Sequence, residues 1–300
     1  MAQVRPRASL SQIDAGTGSL DDLGVYGRDA LRFRDRRAPG AAGRTVGPVT
    51  ATPTTLLAEA LRVDPARPLL TFHDHATGER SELSVATFAN WVAKTANLLG
   101  SELDPAPGDV LALELPVHWQ AAVWLQAAWA TGLVVDLDRA ADADVRVVGH
   151  DQNGPPAREV VSLGLGPLGL PRPGSAPASP GALDYDREVH AHGDRFDGPL
   201  PDAGAVALVA RGAPTTGGEL AAAALAAGHP GGALLVTRPP ATVSDVLGGL
   251  LVPLATGVTA VVCRHADPER LAATVAQERV VAAVGAPAGH VPAWRAAEWE

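Results

Sequence analysis

Short apolar runs alternate with helical patterns over much of this 300-residue chain. Apolar runs at residues 110–115 and 133–137 flank a helical pattern at residues 117–131, and a similar alternation covers residues 205–284. A strand that is followed by a helix and then by a neighbouring strand forms a parallel pair, because the helix returns the chain to its starting edge. The alternation therefore predicts an α/β fold with layered parallel or mixed sheets and flanking helices.

One stretch, residues 205–228, combines the parts of a phosphate-binding loop. Residues 205–210 predict a strand, the Thr/Gly-rich residues 211–218 predict a loop, and the alanine-rich segment from Glu219 predicts a helix. Backbone N–H groups at a helix N-terminus lack intrahelical partners and can bind a phosphate. The candidate phosphate-binding residues are Arg211, Thr215, Thr216, Gly217 and Gly218. No lysine follows this loop, and Lys94 is the only lysine in the chain.

The remaining segments predict the domain organisation. Residues 1–50 show no sustained hydrophobic period and predict a disordered N-terminal extension. Residues 51–290 predict one domain, and residues 291–300 a tail. Residues 151–203 contain nine prolines and predict an irregular insert within the domain. The tryptophans at positions 119, 124 and 129 predict packing of a helix on a sheet.

Composition excludes several classes of partner. A net charge of −9 argues against a nucleic-acid or anionic-membrane partner, because both select clustered basic residues. The apolar stretch from Val246 to Cys263 is interrupted by glycine and proline, so we expect a buried helix and strand rather than a membrane span. Cys263 is the single cysteine, and it predicts a buried structural thiol. Without a secretory signal at the N-terminus, we expect a cytoplasmic protein.

Two further motifs are not interpreted as sites. Residues 164–169 match the spacing Gly-x-Gly-x-x-Gly, but Pro167, Pro171 and Pro173 prevent the helix that a dinucleotide site requires. The His73-Asp74-His75 triplet predicts a solvated hairpin tip rather than a metal site, because spacing indicates no further ligand. The chain also has no Gly-x-Ser-x-Gly nucleophile elbow.

Residues 52–290 resemble the N-terminal part of the adenylate-forming (AMP-binding) superfamily, which includes acyl-CoA synthetases and adenylation domains, and in particular its short actinobacterial members. The resemblance rests on several segments in the family's order: residues 67–72, 83–100, 107–113, 115–130, 131–135, 250–258 and 267–271. It implies a truncated adenylate-forming N-terminal domain, with ATP or AMP and Mg²⁺ as the implied ligands and an acyl group as the implied substrate.

The chain departs from the family's loop, Ser-Gly-Thr-Thr-Gly-x-Pro-Lys. Thr215, Thr216 and Gly217 match it, whereas Pro214, Glu219 and Leu220 replace its glycine, proline and lysine. Residues 236–240 lack the family's aromatic-His pair. The segments that the resemblance would supply for adenine stacking, for the magnesium-binding Glu and for the ribose-binding Asp do not follow residue 287.

These departures predict a non-catalytic protein with a degenerate phosphate loop and a binding or regulatory role. Two alternatives remain at this stage. One is an ATP-dependent ligase that forms an acyl-adenylate, alone or completed by a partner chain. The other is a structural or interaction protein without a nucleotide ligand. A partial sheet leaves an exposed edge, so we also expect self-association or a protein partner.

Overall fold

The computed structural model describes residues 51–152, 154–172, 174–285 and 291–295, so the predicted extension at residues 1–50 and half of the predicted tail lie outside the described residues. The strands are β1 (Pro68–Asp74), β2 (Glu79–Ser84), β3 (Val110–Glu114), β4 (Val134–Asp136), β5 (Val145–Gly149), β6 (Glu159–Leu163), β7 (Leu183–Asp184), β8 (Val206–Ala210), β9 (Ala213–Thr216), β10 (Ala233–Val236), β11 (Ala260–Arg264), β12 (Val280–Val284) and β13 (Ala293–Trp294). The helices are α1 (Pro53–Val63), α2 (Val85–Leu98), α3 (Trp119–Ala130), α4 (Tyr185–Glu188), α5 (Gly217–Ala226), α6 (Val243–Val246), α7 (Val252–Thr256) and α8 (Pro268–Gln277).

The strands form two mixed sheets. The six-stranded sheet has the order β13-β12-β10-β11-β1-β2, and the seven-stranded sheet has the order β7-β6-β5-β3-β4-β8-β9. Neighbouring strands are parallel throughout, apart from the two hairpins β1–β2 and β8–β9 at the sheet edges. The predicted α/β class with layered parallel or mixed sheets and flanking helices is confirmed.

Helix α3 lies at the centre of the molecule. All of its residues are buried, because it packs between the two sheets and against α1 and α2. Trp124 is fully buried, and the Trp129 Nε1–H donates to the Ala207 carbonyl at 2.7 Å. The predicted packing role of these tryptophans is confirmed. One contiguous hydrophobic core takes side chains from α3 and from strands of both sheets.

The region at residues 151–203 is more regular than the proline content predicts. It supplies β6 and β7, which extend the seven-stranded sheet beyond β5. The described prolines of this region lie in the connections, where they do not interrupt the ladder. Residues 164–169 form a short 3₁₀ turn at Pro167–Gly169 instead of an α-helix, as the prolines predict.

The His73-Asp74-His75 triplet does not form a solvated hairpin tip, and that prediction is wrong. The three residues are less than a tenth exposed, because α8 and the end of β11 cover them. His73 Nε2 lies 3.0 Å from Glu278 Oε1, and His75 Nε2 lies 3.0 Å from Thr274 Oγ1. These partners lie about 200 positions along the chain, so local sequence carried no signal of them.

The stretch from Val246 to Cys263 contains a helix and a buried strand, as predicted. Helix α6, a π-helical turn at Leu247–Leu251 and α7 follow one another without a break, and β11 follows them. Gly257, with φ of 88°, ends α7 in the left-handed conformation that glycine adopts most easily. Within the described ranges, no helix is both long and apolar enough to cross a bilayer.

Candidate functional site

The predicted phosphate loop is a β-hairpin. β8 turns at Arg211 and Gly212 and returns as β9, which pairs antiparallel with β8 and leads directly into α5. Both turn residues have positive φ, 53° and 71°, as the two central residues of a type I′ turn require. The prediction of a loop at residues 211–218 is therefore wrong in its local structure, since residues 213–216 form a strand.

The backbone donors of this segment have intramolecular partners. The N–H groups of Arg211 and Gly212 donate to the two carboxylate oxygens of Asp138 at 2.7 and 2.6 Å. At the start of α5, the N–H groups of Gly217 and Gly218 donate to backbone carbonyls at residues 205 and 203. These four donors could contact a phosphate only after losing their present partners, so the phosphate would have to replace hydrogen bonds that already exist.

The N-terminus of α5 is closed by a capping box. The Glu219 N–H donates to Thr216 Oγ1 at 3.2 Å, and the Thr216 N–H donates to Glu219 Oε2 at 2.8 Å. A carboxylate of the chain itself therefore lies where an anion would lie at a helix N-terminus. Hydrogen bonds from Thr216 hold the pKa of Glu219 below its usual value.

The candidate residues occupy different environments. Thr215 is 2% exposed and belongs to the protein interior, whereas Arg211 is exposed at the hairpin tip. Gly217 is buried, and Thr216 and Gly218 are half-buried. The structure places them along one hairpin and helix rather than around one pocket. A phosphate-binding role for these residues stays a prediction.

A cleft open to solvent lies elsewhere, between the start of α3 and the segment that follows β10. Its walls are mainly apolar and are formed by the residues Val117, Ala121, Ala122, Leu125, Val236, Val246, Leu250 and Val262 together with prolines of both segments. Three polar side chains, His118, Arg238 and Asp245, also line it. An apolar cleft with a few polar groups at the carboxyl ends of parallel strands is typical of a small-molecule site.

Two polar atoms of this cleft lack a hydrogen-bond partner among the described residues. His118 Nδ1 accepts the Gln120 N–H at 3.3 Å, which places the ring proton on Nε2, and Nε2 is buried without a partner. Arg238 Nη2 donates to Asp245 Oδ1 at 2.6 Å, whereas the buried Arg238 Nε has no partner. Two residues that line the cleft therefore each carry a buried N–H donor without a partner among the described residues.

Burial shifts the pKa values of His118 and Cys263. It lowers the pKa of His118 to about 3, and the positive charges of Arg264 and Arg172 act in the same direction. His118 is therefore neutral near neutral pH. Burial raises the pKa of Cys263 to about 11. The prediction of a buried Cys263 is confirmed.

The sequence does not predict the cleft. In the sequence, residues 236–240 differ from the family's pattern without indicating a site, and His118 belongs to a predicted helical segment. A signal was present, because Arg238 comes directly after a strand of a predicted parallel sheet, where ligand-binding residues concentrate. The contribution of His118 could not be predicted, because it depends on how the two sheets face each other.

Solved structures of acyl-CoA-synthetase type share the fold. An acyl-CoA synthetase of Brucella canis has a TM-score of 0.60 at 14% identity, and the match covers 78% of this chain and 47% of that protein. An anthranilate CoA ligase, AuaEII, in complex with anthranoyl-AMP has a TM-score of 0.62 at 13% identity, covering 79% and 50%. The N-terminal domain of FACL13 from Mycobacterium tuberculosis has a TM-score of 0.58 at 14% identity, covering 77% and 62%.

The chain thus spans about half the length of the first two of these proteins. The fold that the resemblance to the adenylate-forming superfamily implies, that of its N-terminal domain, is confirmed. A comparison with models of known protein families finds no match. A TIGR03089 family protein of Mycobacterium tuberculosis is 38% identical over 248 residues, which covers 76% of this chain and 98% of that protein. The chain belongs to the TIGR03089 family.

Proposed function

We propose that this chain is a non-catalytic protein with the adenylate-forming fold, which binds a small apolar carboxylic acid and does not activate it with ATP. The observation that carries the proposal is the occupied hairpin turn, where the Asp138 carboxylate accepts both N–H groups of Arg211 and Gly212. Adenylate formation requires donors and cations for the negative charge that develops on the phosphates. In the hairpin those donors are already used within the chain.

The residues that replace the family's loop support the same conclusion. Leu220 stands where the family has a lysine, and it is fully buried in the core. Lys94, the only lysine, donates to the His192 carbonyl at 2.6 Å on another part of the surface. Glu219 places a carboxylate at the N-terminus of α5, where it would repel a triphosphate.

The cleft supports an acid as the ligand. A carboxylate that enters it could accept hydrogen bonds from His118 Nε2 and Arg238 Nε, which have no other partner among the described residues. The apolar walls would take up the acyl or aryl part of the ligand. The structurally similar anthranilate CoA ligase binds anthranoyl-AMP, the adenylate of an aromatic acid.

Nucleotide binding is tested by thermal unfolding with Mg-ATP and by an assay of pyrophosphate release with Mg-ATP and a panel of carboxylic acids. We expect no release and no rise in the unfolding temperature with Mg-ATP. A concentration-dependent rise that is lost in Thr216→Val would contradict the proposal and favour the alternative of a working ligase.

Acid binding is tested by the same unfolding measurement with aromatic and short aliphatic carboxylic acids. Ala122 lines the cleft, so Ala122→Leu should fill part of it and abolish the stabilisation. Ala222 is exposed on α5, and Ala222→Leu is the matched control that should bind as well as the natural chain. Stabilisation by no acid, or equal stabilisation of both variants, would refute binding in this cleft.

A further inference from the structure

Three side chains that the proposed function does not use meet at one end of the seven-stranded sheet. His150 directly follows β5, Asp184 ends β7, and Asp186 lies in α4 immediately after it. Because β5, β6 and β7 are parallel, their carboxyl ends lie at the same edge. The ligand-type atoms of the three side chains all lie within 4.8 Å of one another.

These side chains are buried and incompletely bonded. The His150 side chain is 5% exposed, and neither of its ring nitrogens has a hydrogen-bond partner among the described residues. Asp186 is fully buried, and its Oδ1 is also without a partner, as is Asp184 Oδ1. His150 Nε2 and Asp184 Oδ1 are 3.9 Å apart, which is too far for a hydrogen bond. Buried polar atoms normally have partners, and this cluster concentrates four atoms that have none among the described residues.

The other oxygen of each carboxylate is held in place. Asp186 Oδ2 accepts the Gly164 N–H at 2.8 Å, and Asp184 Oδ2 pairs with Arg187 Nε at 3.1 Å. One oxygen of each residue is thereby fixed, while the other has no hydrogen-bond partner among the described residues. Metal-binding carboxylates are commonly oriented in this way by a second partner.

Gly164 is the residue on which this close approach depends. A Cβ atom at position 164 would lie 2.6 Å from Asp186 Oδ2 and 3.2 Å from His150 Nδ1. Any larger residue would push the cluster apart. The packing of His150 and Asp186 therefore explains Gly164, the first glycine of the Gly-x-Gly-x-x-Gly spacing at residues 164–169.

We propose that His150, Asp184 and Asp186 bind a divalent first-row transition-metal ion. One imidazole nitrogen and two carboxylate oxygens suit Zn²⁺ or Mn²⁺. Arg187 pairs with Asp184, whereas the buried Asp186 has no ion pair among the described residues. A divalent cation would neutralise the remaining charge, whereas a water molecule could satisfy the hydrogen bonds but not the charge. Ligand atoms around a tetrahedral ion with bonds of about 2.1 Å are roughly 3.4 Å apart, so small side-chain rotations suffice from the present separation.

The test uses the full chain without an affinity tag, first stripped with a chelator and then dialysed against ZnCl₂ or MnCl₂. Bound metal is measured by mass spectrometry after removal of free ions, and affinity by competition with a chromophoric chelator. We expect about one ion per chain and a higher unfolding temperature. Binding of neither ion, or an unchanged unfolding temperature with metal bound, would overturn the proposal.

Variants assign the ion to this cluster. Asp184→Asn preserves size and should weaken binding at least about 10-fold, and His150→Asn should do the same. His190 is exposed and its Nε2 lies 3.2 Å from the Gly169 carbonyl, so His190→Asn is the control for adventitious binding to surface histidines and should bind normally. Circular dichroism verifies that each variant is folded. Equal affinity in Asp184→Asn, His150→Asn and the control would place the ion elsewhere.

Discussion

At the scale of single residues, the burial and hydrogen bonding of polar side chains depend on partners that are distant in sequence. His75 contacts Thr274 and Cys263, and its Nδ1 accepts the Asp267 N–H at 3.0 Å. Local sequence around His73 and His75 predicts exposure, and the structure buries both residues. A histidine's charge state therefore depends on the fold, and His118 is the clearest case.

His118 should make stability depend on pH. Its folded-state pKa is lowered to about 3 from 6.5, mainly by burial. Between these values the unfolded chain binds a proton that the folded chain does not bind, so stability falls as pH falls from 6.5 towards 3. For one such proton, the free energy of unfolding changes by at most about 1.4 kcal/mol per pH unit. Urea unfolding at neutral pH and at about pH 5 measures this slope.

The control for this prediction is His118→Asn, which can still cap α3 through its side-chain oxygen but does not titrate. The variant is expected to be less stable at every pH, because His118 also packs against Phe72 with ring centroids 4.6 Å apart. Its stability should nevertheless depend less on pH than that of the natural chain. Identical pH slopes in the two proteins would show that His118 is not the responsible group.

At the scale of elements, sequence predicted β8 and α5 but not the strand between them. The apolar run and the alanine-rich segment carry clear periodic signals. Threonine and glycine, the residues at positions 215–218, are equally common in phosphate loops and in helix caps. Composition therefore could not distinguish a phosphate loop from a helix cap here. The structure distinguishes them through Asp138, which lies in the connection after β4. Its carboxylate accepts the N–H groups of Arg211 and Gly212 and so stabilises the hairpin turn.

The capping box should contribute measurably to stability. Thr216→Val removes the oxygen that accepts the Glu219 N–H and should cost about 1 kcal/mol. Glu219→Gln keeps an acceptor for the Thr216 N–H, loses only the charge, and should cost less. Urea unfolding of both variants measures the difference. A Thr216→Val protein as stable as the natural chain would mean that the helix N-terminus does not depend on this cap.

At the scale of the whole molecule, the alternation of strands and helices predicted the fold class but not the division into two sheets. The strands β1 and β2 come first in the chain, yet they join β10 and β11 in the six-stranded sheet. The segments between residues 110 and 216 form the seven-stranded sheet. Such long-range pairing leaves no local pattern, and the same reason explains why the contribution of His118 to the cleft and the His150 cluster could not be located from sequence.

Both sheets contribute to one hydrophobic core, so we expect the domain to unfold in a single transition. Leu70 of the six-stranded sheet and Leu111 of the seven-stranded sheet are both almost fully buried in that core. Leu70→Ala and Leu111→Ala should each cost about 2–5 kcal/mol. Because helices pack between the two sheets, the loss of core packing in either variant should destabilise the whole domain. Either variant should therefore lower the midpoint of the same transition. Tryptophan fluorescence and far-ultraviolet circular dichroism should then coincide in all three proteins. If the sheets were independent, each variant would shift only part of the signal and leave a second transition at its original midpoint.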